Sequence, residues 1–223
     1  MPSKDYTIRD CWFTSGMRAT GSNTIVTDNV FVPDTHVLEL MALRDGNAPG
    51  SPRDESYIYR TPFFFYAPLT FVLPMLGAAQ GAYAYFRDWT KDRSVARRGR
   101  AAELSSIQTG MARAAADLDA AQMLIDRAIA TPRALDGDVG ALLARSVRDY
   151  TRATEIIVQA IDGLVAISGT AGFVETNPIQ RAWRDIHFAS MHVSLNADIN
   201  YGHFAHMEFG VPPDPEQPYF VKA

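Results

Sequence analysis

Four of the five histidines lie in the last forty residues, and histidine is the side chain best suited to proton transfer or metal binding near neutral pH. In one continuous helix, His187 and His192 would point about 140° apart, and His192 would lie about 16 Å from His203 along the axis. Neither pair could share an ion. His203 and His206 could, but no carboxylate or third histidine has suitable spacing. We therefore predict no metal site, and a hydrogen-bonded structural role for each histidine unless another observation singles one out.

Other catalytic and cofactor motifs are missing from the sequence. It has no GxSxG elbow, no Walker loop, no HExxH and no GxGxxG. The glycines of ISGTAGF, residues 167–173, are typical of a helix end and only weakly indicate a phosphate or cofactor site. The arginines of DRSVARRGR, residues 92–100, suit a bidentate phosphate contact if they face one. Motifs alone therefore leave the chemistry open.

Composition excludes some classes of protein. The chain has 21 Lys and Arg against 25 Asp and Glu, a net charge of −4, so we expect no nucleic-acid binding. Its single cysteine, Cys11, cannot form an internal disulfide or a cysteine-rich metal site. A reducing, cytoplasmic location is therefore expected.

Residues 61–86 carry no charge and are long enough to cross a bilayer. Three prolines, Pro62, Pro68 and Pro74, interrupt the stretch, and we find no second apolar span in the sequence. An all-round apolar helix is also what the centre of a helical bundle or an oligomer interface requires. We therefore expect a buried helix here and no membrane.

The spacing of apolar residues indicates which elements position these groups. Residues 1–40 contain three short β-branched or aromatic runs, at 6–8, 24–26 and 30–32, which predict part of a small sheet. Residues 41–62 are typical of a connecting loop.

The rest of the chain has helical spacing. Apolar residues recur at steps of three and four from Ala101 to Ala128 and from Leu143 to Leu164, which predicts two long antiparallel helices. We expect two more helices, over 68–94 and, as one element, over about 184–209. The prediction is a mainly α fold, with an up-down four-helix bundle at 63–210 and a tail at 211–223.

Two motifs and the helices between them form a recognisable combination. One motif is WFTSGMRATGSNTIVTDNVFVP, residues 12–33, and the other is DGLVAISGTAGFVETNPIQRAWRD, residues 162–185. They resemble the end of the central β domain, and the glycine loop with its Arg-Asp pair, in the acyl-CoA dehydrogenase superfamily. The likeness is strongest to its flavin-dependent monooxygenase branch, which includes the phenol hydroxylases and the dibenzothiophene oxygenase. Family members begin with a helical domain of about a hundred residues and a fuller β domain. The resemblance therefore implies the C-terminal part of a longer enzyme, with only a remnant of the β domain.

The residue that follows the Arg-Asp pair distinguishes the branches of this family. In the dehydrogenases, a glutamate nine residues after the arginine removes a proton from the substrate, and here that position is Val193. Valine cannot act as a base, so no residue at this position can remove the proton. In the monooxygenase branch a histidine after the same pair lies beside the flavin ring. His192 matches it and His187 does not, so the resemblance implies that His192 is catalytic, by hydrogen bonding or by taking a phenol proton.

The resemblance implies further contacts with flavin. Arg60 and Phe63, in YRTPFFFY, resemble the loop that closes over ring and substrate in phenol hydroxylases; the alternative is an ordinary surface cation and a core ring. Arg93 resembles the arginine after the first bundle helix that reaches the flavin phosphate, often of a neighbouring subunit, although the family's following Phe-Gly is missing here. Gly169 and Gly172 match the loop whose backbone approaches the cofactor across the subunit interface.

The activity implied is that of the oxygenase component of a two-component monooxygenase. A separate flavin reductase would supply reduced FMN or FAD, and O2 would hydroxylate a phenolic, aromatic or heteroaromatic small molecule. Two alternatives remain. One is an acyl-CoA dehydrogenase-like flavoprotein with its base elsewhere, although no acid occurs between Arg60 and Arg87. The other is a non-catalytic helical module that only oligomerises. Bundles of this family pack as dimers of dimers, which implies a homotetramer, or a dimer if missing domains are needed.

Overall fold

The computed structural model describes residues 1–47, 49, 56–135 and 137–211. Helices dominate these residues. They are α1 Leu40–Arg44, α2 Tyr57–Arg60, α3 Leu69–Lys91, α4 Ser105–Ala130, α5 Val139–Ser168, α6 Pro178–Ser190 and α7 Ala197–Phe209. Two small antiparallel pairs complete the fold, β1 Thr7–Arg9 with β2 Thr24–Val26, and β3 Ser94–Val95 with β4 Gly99–Arg100.

Helix α5 is the centre of the bundle and packs against α3, α4, α6 and α7. Its apolar face supplies Ile157, Ile161 and Leu164, which are fully buried against Phe86 of α3 and Ile125 of α4. Each such side chain contributes about 1.5 to 3 kcal/mol by leaving water. The predicted mainly α fold and its helical bundle are confirmed.

The last predicted helix is in fact two, and the expectation of one element over 184–209 was wrong. Helix α6 ends at Ser190, a 3-10 turn covers Val193–Leu195, and α7 begins at Ala197. The side chain of His192 accepts the backbone N–H of Ser194, and that of Asn196 accepts the N–H of Ile199. Such side chains satisfy backbone donors locally and so favour helix starts over helix interiors. The angles and distances expected for an unbroken helix therefore do not apply.

The first forty residues form less sheet than the sequence indicates. Strands β1 and β2 pair with Ile8 opposite Ile25, but residues 30–32 form no strand. The side chain of Phe31 is 85% exposed. A two-stranded hairpin is too small to build a core alone. The predicted loop at 41–62 contains the short helices α2 and most of α1, while residues 48 and 50–55 lie outside the description.

Two helical stretches, Phe63–Lys91 and Val139–Phe173, are long and apolar enough to cross a membrane. The expectation of a single such stretch was therefore wrong. In the described fold, buried residues of both stretches pack together in the main hydrophobic core and in a second, smaller cluster of Phe64, Phe65, Leu143 and Val147. The core helix of a bundle passes the same test of length and composition.

Candidate active site

The two sequence motifs meet where residues 10–23, the hairpin segment between β1 and β2, contact α6. Arg184 Nη1 donates to the Ser15 carbonyl oxygen at 2.6 Å, and the Met17 backbone N–H donates to Asp185 Oδ1 at 2.6 Å. Between these bonds, Gly16 lies so close to α6 that a Cβ would overlap the Arg184 carbonyl oxygen. The Arg-Asp pair therefore fastens the hairpin segment to the bundle, and only glycine allows this approach.

A cavity of about 460 Å³ opens beside this joint. It lies between the hairpin segment, the start of α3 and the end of α6. The Trp12 ring packs edge-on against Phe188, with 5.4 Å between centroids. A largely apolar wall with a few polar groups is typical of a small-molecule site. The lining residues are Trp12, Met17, Thr20, Ser22, Phe71, Phe188, Ala189, Met191, His192 and Val193.

His192 is the titratable residue in this wall. Its ring stacks on Phe71 with 3.7 Å between centroids and 22° between planes. Although His192 is exposed as a whole residue, partial desolvation of its ring lowers the pKa of His192 below the usual value. A neutral imidazole is therefore the dominant form at pH 7.

The turn that carries His192 is fixed to the bundle by a buried amide. Asn200 Nδ2 donates to the Ser194 carbonyl oxygen at 3.0 Å and to Thr151 Oγ1 on α5 at 2.8 Å. Thr151 Oγ1 in turn donates to the Val147 carbonyl oxygen at 2.8 Å. His192 itself closes the turn, because its Nδ1 accepts the Ser194 N–H at 3.2 Å and lies 2.7 Å from Ser194 Oγ. The position of the imidazole thus depends on α5, α7 and the turn together.

The other C-terminal histidines face away from this cavity. His187 Nε2 lies 2.8 Å from Asp162 Oδ1, which also accepts the Trp183 indole N–H. His203 is only 2% exposed, and its burial, with a smaller effect of His206, lowers the pKa of His203 to about 4. Within the described part of the chain, no three His, Cys, Asp or Glu side chains are close enough to hold a metal ion.

Arg93 and Gly169 line a second cavity, of about 490 Å³, at the far end of α3. Arg93 donates to the Ser168 and Ile167 carbonyl oxygens at 3.0 and 3.3 Å, and its guanidinium carbon lies 4.1 Å from the centre of the Trp89 ring. Burial lowers the pKa of Arg93. Arg98, Ser94, Ser106 and Thr170 add polar groups to the wall.

Gly172 is close to this cavity but does not line it. It packs against α5, where a Cβ would come within 2.5 Å of the Ser168 Cβ. Gly169 ends α5 with a φ of 62°, a backbone conformation that favours glycine. Of the three residues predicted to bind cofactor, Arg93 and Gly169 therefore line the same cavity. Gly172 does not line it but packs against Ser168 beside it.

The two cavities lie far apart in one chain. Phe71 is near the beginning of α3 and Lys91 ends it, and the 20 residues between them correspond to about 30 Å along the axis. His192 and Arg93 are therefore not brought together within one copy of the chain.

Phe63, one of the two loop residues predicted to cover the flavin ring, is not among the residues that line the first cavity. Phe63 begins a 3-10 turn before α3, is 40% exposed and contacts Phe64 edge-on at 5.5 Å. Arg60 ends α2, and its side chain lies outside the described part of the chain. Their role stays a prediction.

Sequence reasoning missed Phe71, Ser194 and Asn200. Nothing in their local sequence marks them, because they reach His192 only through the break after α6 and the packing of α3, α5 and α7. Trp12 was within reach, since it begins the first of the two motifs and the Arg-Asp pair ends the second.

Comparisons with known proteins show which proteins this chain is similar to in sequence and fold. The oxygenase subunit HsaA of a flavin-dependent monooxygenase from Rhodococcus jostii is 34% identical over 218 residues, which are 95% of this chain and 57% of the relative. The oxygenase component of an FADH(2)-dependent resorcinol hydroxylase from a Rhizobium species is 31% identical over 214 residues, 89% of this chain and 52% of the relative. The structure of XiaF from Streptomyces, in complex with FADH2 and glycerol, superposes with a TM-score of 0.82 at 30% identity, over 97% of this chain and 55% of XiaF.

The chain thus spans little more than half the length of these relatives. Residues 69–197, which run from the start of α3 to the start of α7, match the model of the acyl-CoA dehydrogenase C-terminal domain. Because this match covers more than half of the chain, the chain belongs to the acyl-CoA dehydrogenase C-terminal domain family.

Proposed function

We propose that this chain is the C-terminal part of the oxygenase component of a reduced-flavin-dependent monooxygenase that hydroxylates a phenolic, aromatic or heteroaromatic small molecule. The observation that carries the proposal is the position of His192. It stacks on Phe71 in the wall of a largely apolar cavity at the end of α6, the helix that contains Arg184 and Asp185. None of the residues lining that cavity is an aspartate or glutamate. The resorcinol hydroxylase among the relatives acts, by its name, on a phenolic compound.

The acyl-CoA dehydrogenase alternative needs a carboxylate base. Glu155 lies beyond His192, in the adjoining cavity of about 420 Å³ between α5, α6 and α7. Its Oε2 is already bound by Arg152 at 2.9 Å and by the Tyr201 hydroxyl at 2.8 Å. Both donors thus occupy the oxygen through which a base would take the proton. His192 is therefore the better candidate for chemistry.

The residues present fit a reduced FMN or FAD. The cavity near Gly169 offers two arginines for a phosphate, and among the described residues no hydrogen-bond partner reaches the buried Arg93 Nε. Arginine N–H groups donate charge-assisted hydrogen bonds to phosphate oxygens. When bound, reduced flavin supplies the electrons that activate O2. Phe71 and Trp12 would exclude water from an aromatic substrate, while His192 hydrogen bonds to a polar atom of substrate or cofactor.

We further propose that the site is shared between copies of the chain, in a homodimer or homotetramer. One copy would supply Arg93 and Gly169, and another would supply His192, because about 30 Å of helix separates the two cavities within one copy. Large apolar side chains such as Met123, 73% exposed on α4, are available for such contacts. A flavin reductase is the proposed second protein partner. A cytoplasmic location, with no nucleic-acid or membrane partner, stays a prediction.

Anaerobic titration with reduced FMN and reduced FAD, followed by fluorescence, tests the proposal. We expect saturable binding, weakened at least tenfold by Arg93→Ala and little changed by Arg113→Ala, an arginine on α4 that lines neither cavity. A purely oligomerising module would give no saturation. Reduction of an electron-accepting dye by acyl-CoA thioesters would instead support the dehydrogenase alternative.

A further inference from the structure

We propose that Ser194 is a positioning residue that holds His192 as the tautomer protonated on Nε2, so that the ring faces the cavities as a hydrogen-bond donor. The assignment of the tautomer needs only the chain itself. Its catalytic meaning rests on the proposed function.

The tautomer follows from the donors around Nδ1. The Ser194 backbone N–H, which can only donate, points at His192 Nδ1 at 3.2 Å. A proton on Nδ1 would place two hydrogens face to face, so the amide disfavours protonation of Nδ1 and favours its lone pair. The Ser194 hydroxyl, 2.7 Å away, can then turn its own hydrogen toward the same nitrogen. A neutral imidazole carries a single N–H, which therefore lies on Nε2.

The surrounding contacts keep this arrangement in place. The Ser194 carbonyl oxygen is bound to the buried Asn200, which fixes the turn on α5 and α7. Phe71 stacks on the imidazole and sets the plane of the ring. Because Nδ1 is directed at the turn, Nε2 is on the opposite edge of the ring. His192 lines both the cavity beside Trp12 and the adjoining one beside Glu155.

This tautomer decides between two possible roles of His192. An Nε2–H can donate a hydrogen bond to an electron-rich atom of substrate or cofactor, but it cannot take a proton at that nitrogen. Protonating the ring on Nδ1 would also break the contact with the Ser194 amide. His192 thus acts by hydrogen-bond donation, and another group or water receives the proton of the substrate.

Nitrogen-15 NMR of histidine-labelled protein without flavin tests the tautomer directly, because protonated and unprotonated ring nitrogens have well-separated shifts. The His192 signals are assigned by their loss in His192→Gln. We expect one tautomer, with Nδ1 unprotonated. Ser194→Ala keeps the amide but loses the hydroxyl, and a second population protonated on Nδ1 should appear. Ser194→Thr keeps both donors and should match the unchanged protein.

Two results would overturn the proposal: a His192 ring protonated on Nδ1, or a Ser194→Ala spectrum identical to the original. Circular dichroism of each variant shows whether it folds. Because no flavin is present, either outcome leaves the proposed function untouched, and a failure of flavin binding leaves the tautomer untouched.

Activity separates donor from base. The Gln side chain can donate through its amide N–H but cannot take a proton at pH 7. If His192 is a donor, kcat of His192→Gln should be at least tenfold higher than kcat of His192→Ala. Equal loss of kcat in the two variants would contradict the donor role.

Discussion

Asn200→Ala is expected to lower the free energy of unfolding by about 2 to 4 kcal/mol. The Asn200 side chain is 5% exposed and donates two hydrogen bonds, at 2.8 Å to Thr151 and at 3.0 Å to the Ser194 carbonyl. Each bond is worth about 1 kcal/mol net, and leaving the partly buried Ser194 carbonyl unpaired adds up to about 2 kcal/mol. For a domain stable by roughly 5 to 15 kcal/mol, this loss is large.

Guanidinium unfolding followed by circular dichroism measures the effect. The matched control is Asn196→Ala, which removes an exposed cap from the same helix and should cost about 1 kcal/mol. A double-mutant cycle with Thr151→Val isolates the bond between the two side chains, and we expect a coupling energy of about 1 kcal/mol. If Asn200→Ala costs no more than Asn196→Ala, or if the cycle shows no coupling, this amide does not hold the His192 turn.

Further predictions concern Gly16, His203 and Arg93. Gly16→Ala should destabilise the protein by about 1 to 3 kcal/mol in thermal unfolding, because the new Cβ would overlap α6. The control is Gly81→Ala, which lies in open space on α3 and should stabilise the protein by about 0.5 to 1 kcal/mol. Equal effects of the two substitutions would contradict the close contact at Gly16. The pKa of His203 falls to about 4 on folding, so the unfolded chain takes up a proton at this residue at a higher pH than the folded chain does. Lowering the pH from 7 to 5 should therefore reduce the free energy of unfolding by about 2 kcal/mol. His203→Gln should not show this loss. A His203→Gln curve parallel to the original would refute this. Arg93→Lys lacks the Nε–H and also the two Nη groups that hold the Ser168 and Ile167 carbonyls, so it should weaken reduced-flavin binding nearly as much as Arg93→Ala. Full retention of binding would show that charge alone suffices.

The sequence predicted the long helices well, because apolar residues at steps of three and four form the buried face of α4 and recur along the more widely buried α5. The prediction was wrong where side-chain capping ends a helix and where a stretch of strand composition has no strand to pair with. The side chains of His192 and Asn196 bind backbone N–H groups and end the helical run, although hydrophobic spacing continues through them. Residues 30–32 have strand composition but no strand beside them among the described residues.

The choice of His192 over His187 could be made from sequence, by its place after the Arg-Asp pair. Its surroundings could not. The stack on Phe71 joins residues that are far apart in the chain, and the bond from Asn200 to Thr151 depends on how α7 returns along α5. The separation of Arg93 from His192 likewise depends on α3 being one helix from Leu69 to Lys91 and on where the break after α6 places His192.

Mass spectrometry of product formed under ¹⁸O2 tests the central proposal that the His192 cavity serves oxygen transfer from reduced flavin. The assay uses the polypeptide of the complete coding region, a flavin reductase and a panel of simple phenols that includes resorcinol. We expect one ¹⁸O atom in each molecule of hydroxylated product, with a yield that depends on reduced flavin and falls at least a hundredfold in His192→Ala. Absence of label across the panel, together with oxidation of acyl-CoA thioesters by the same protein, would contradict it.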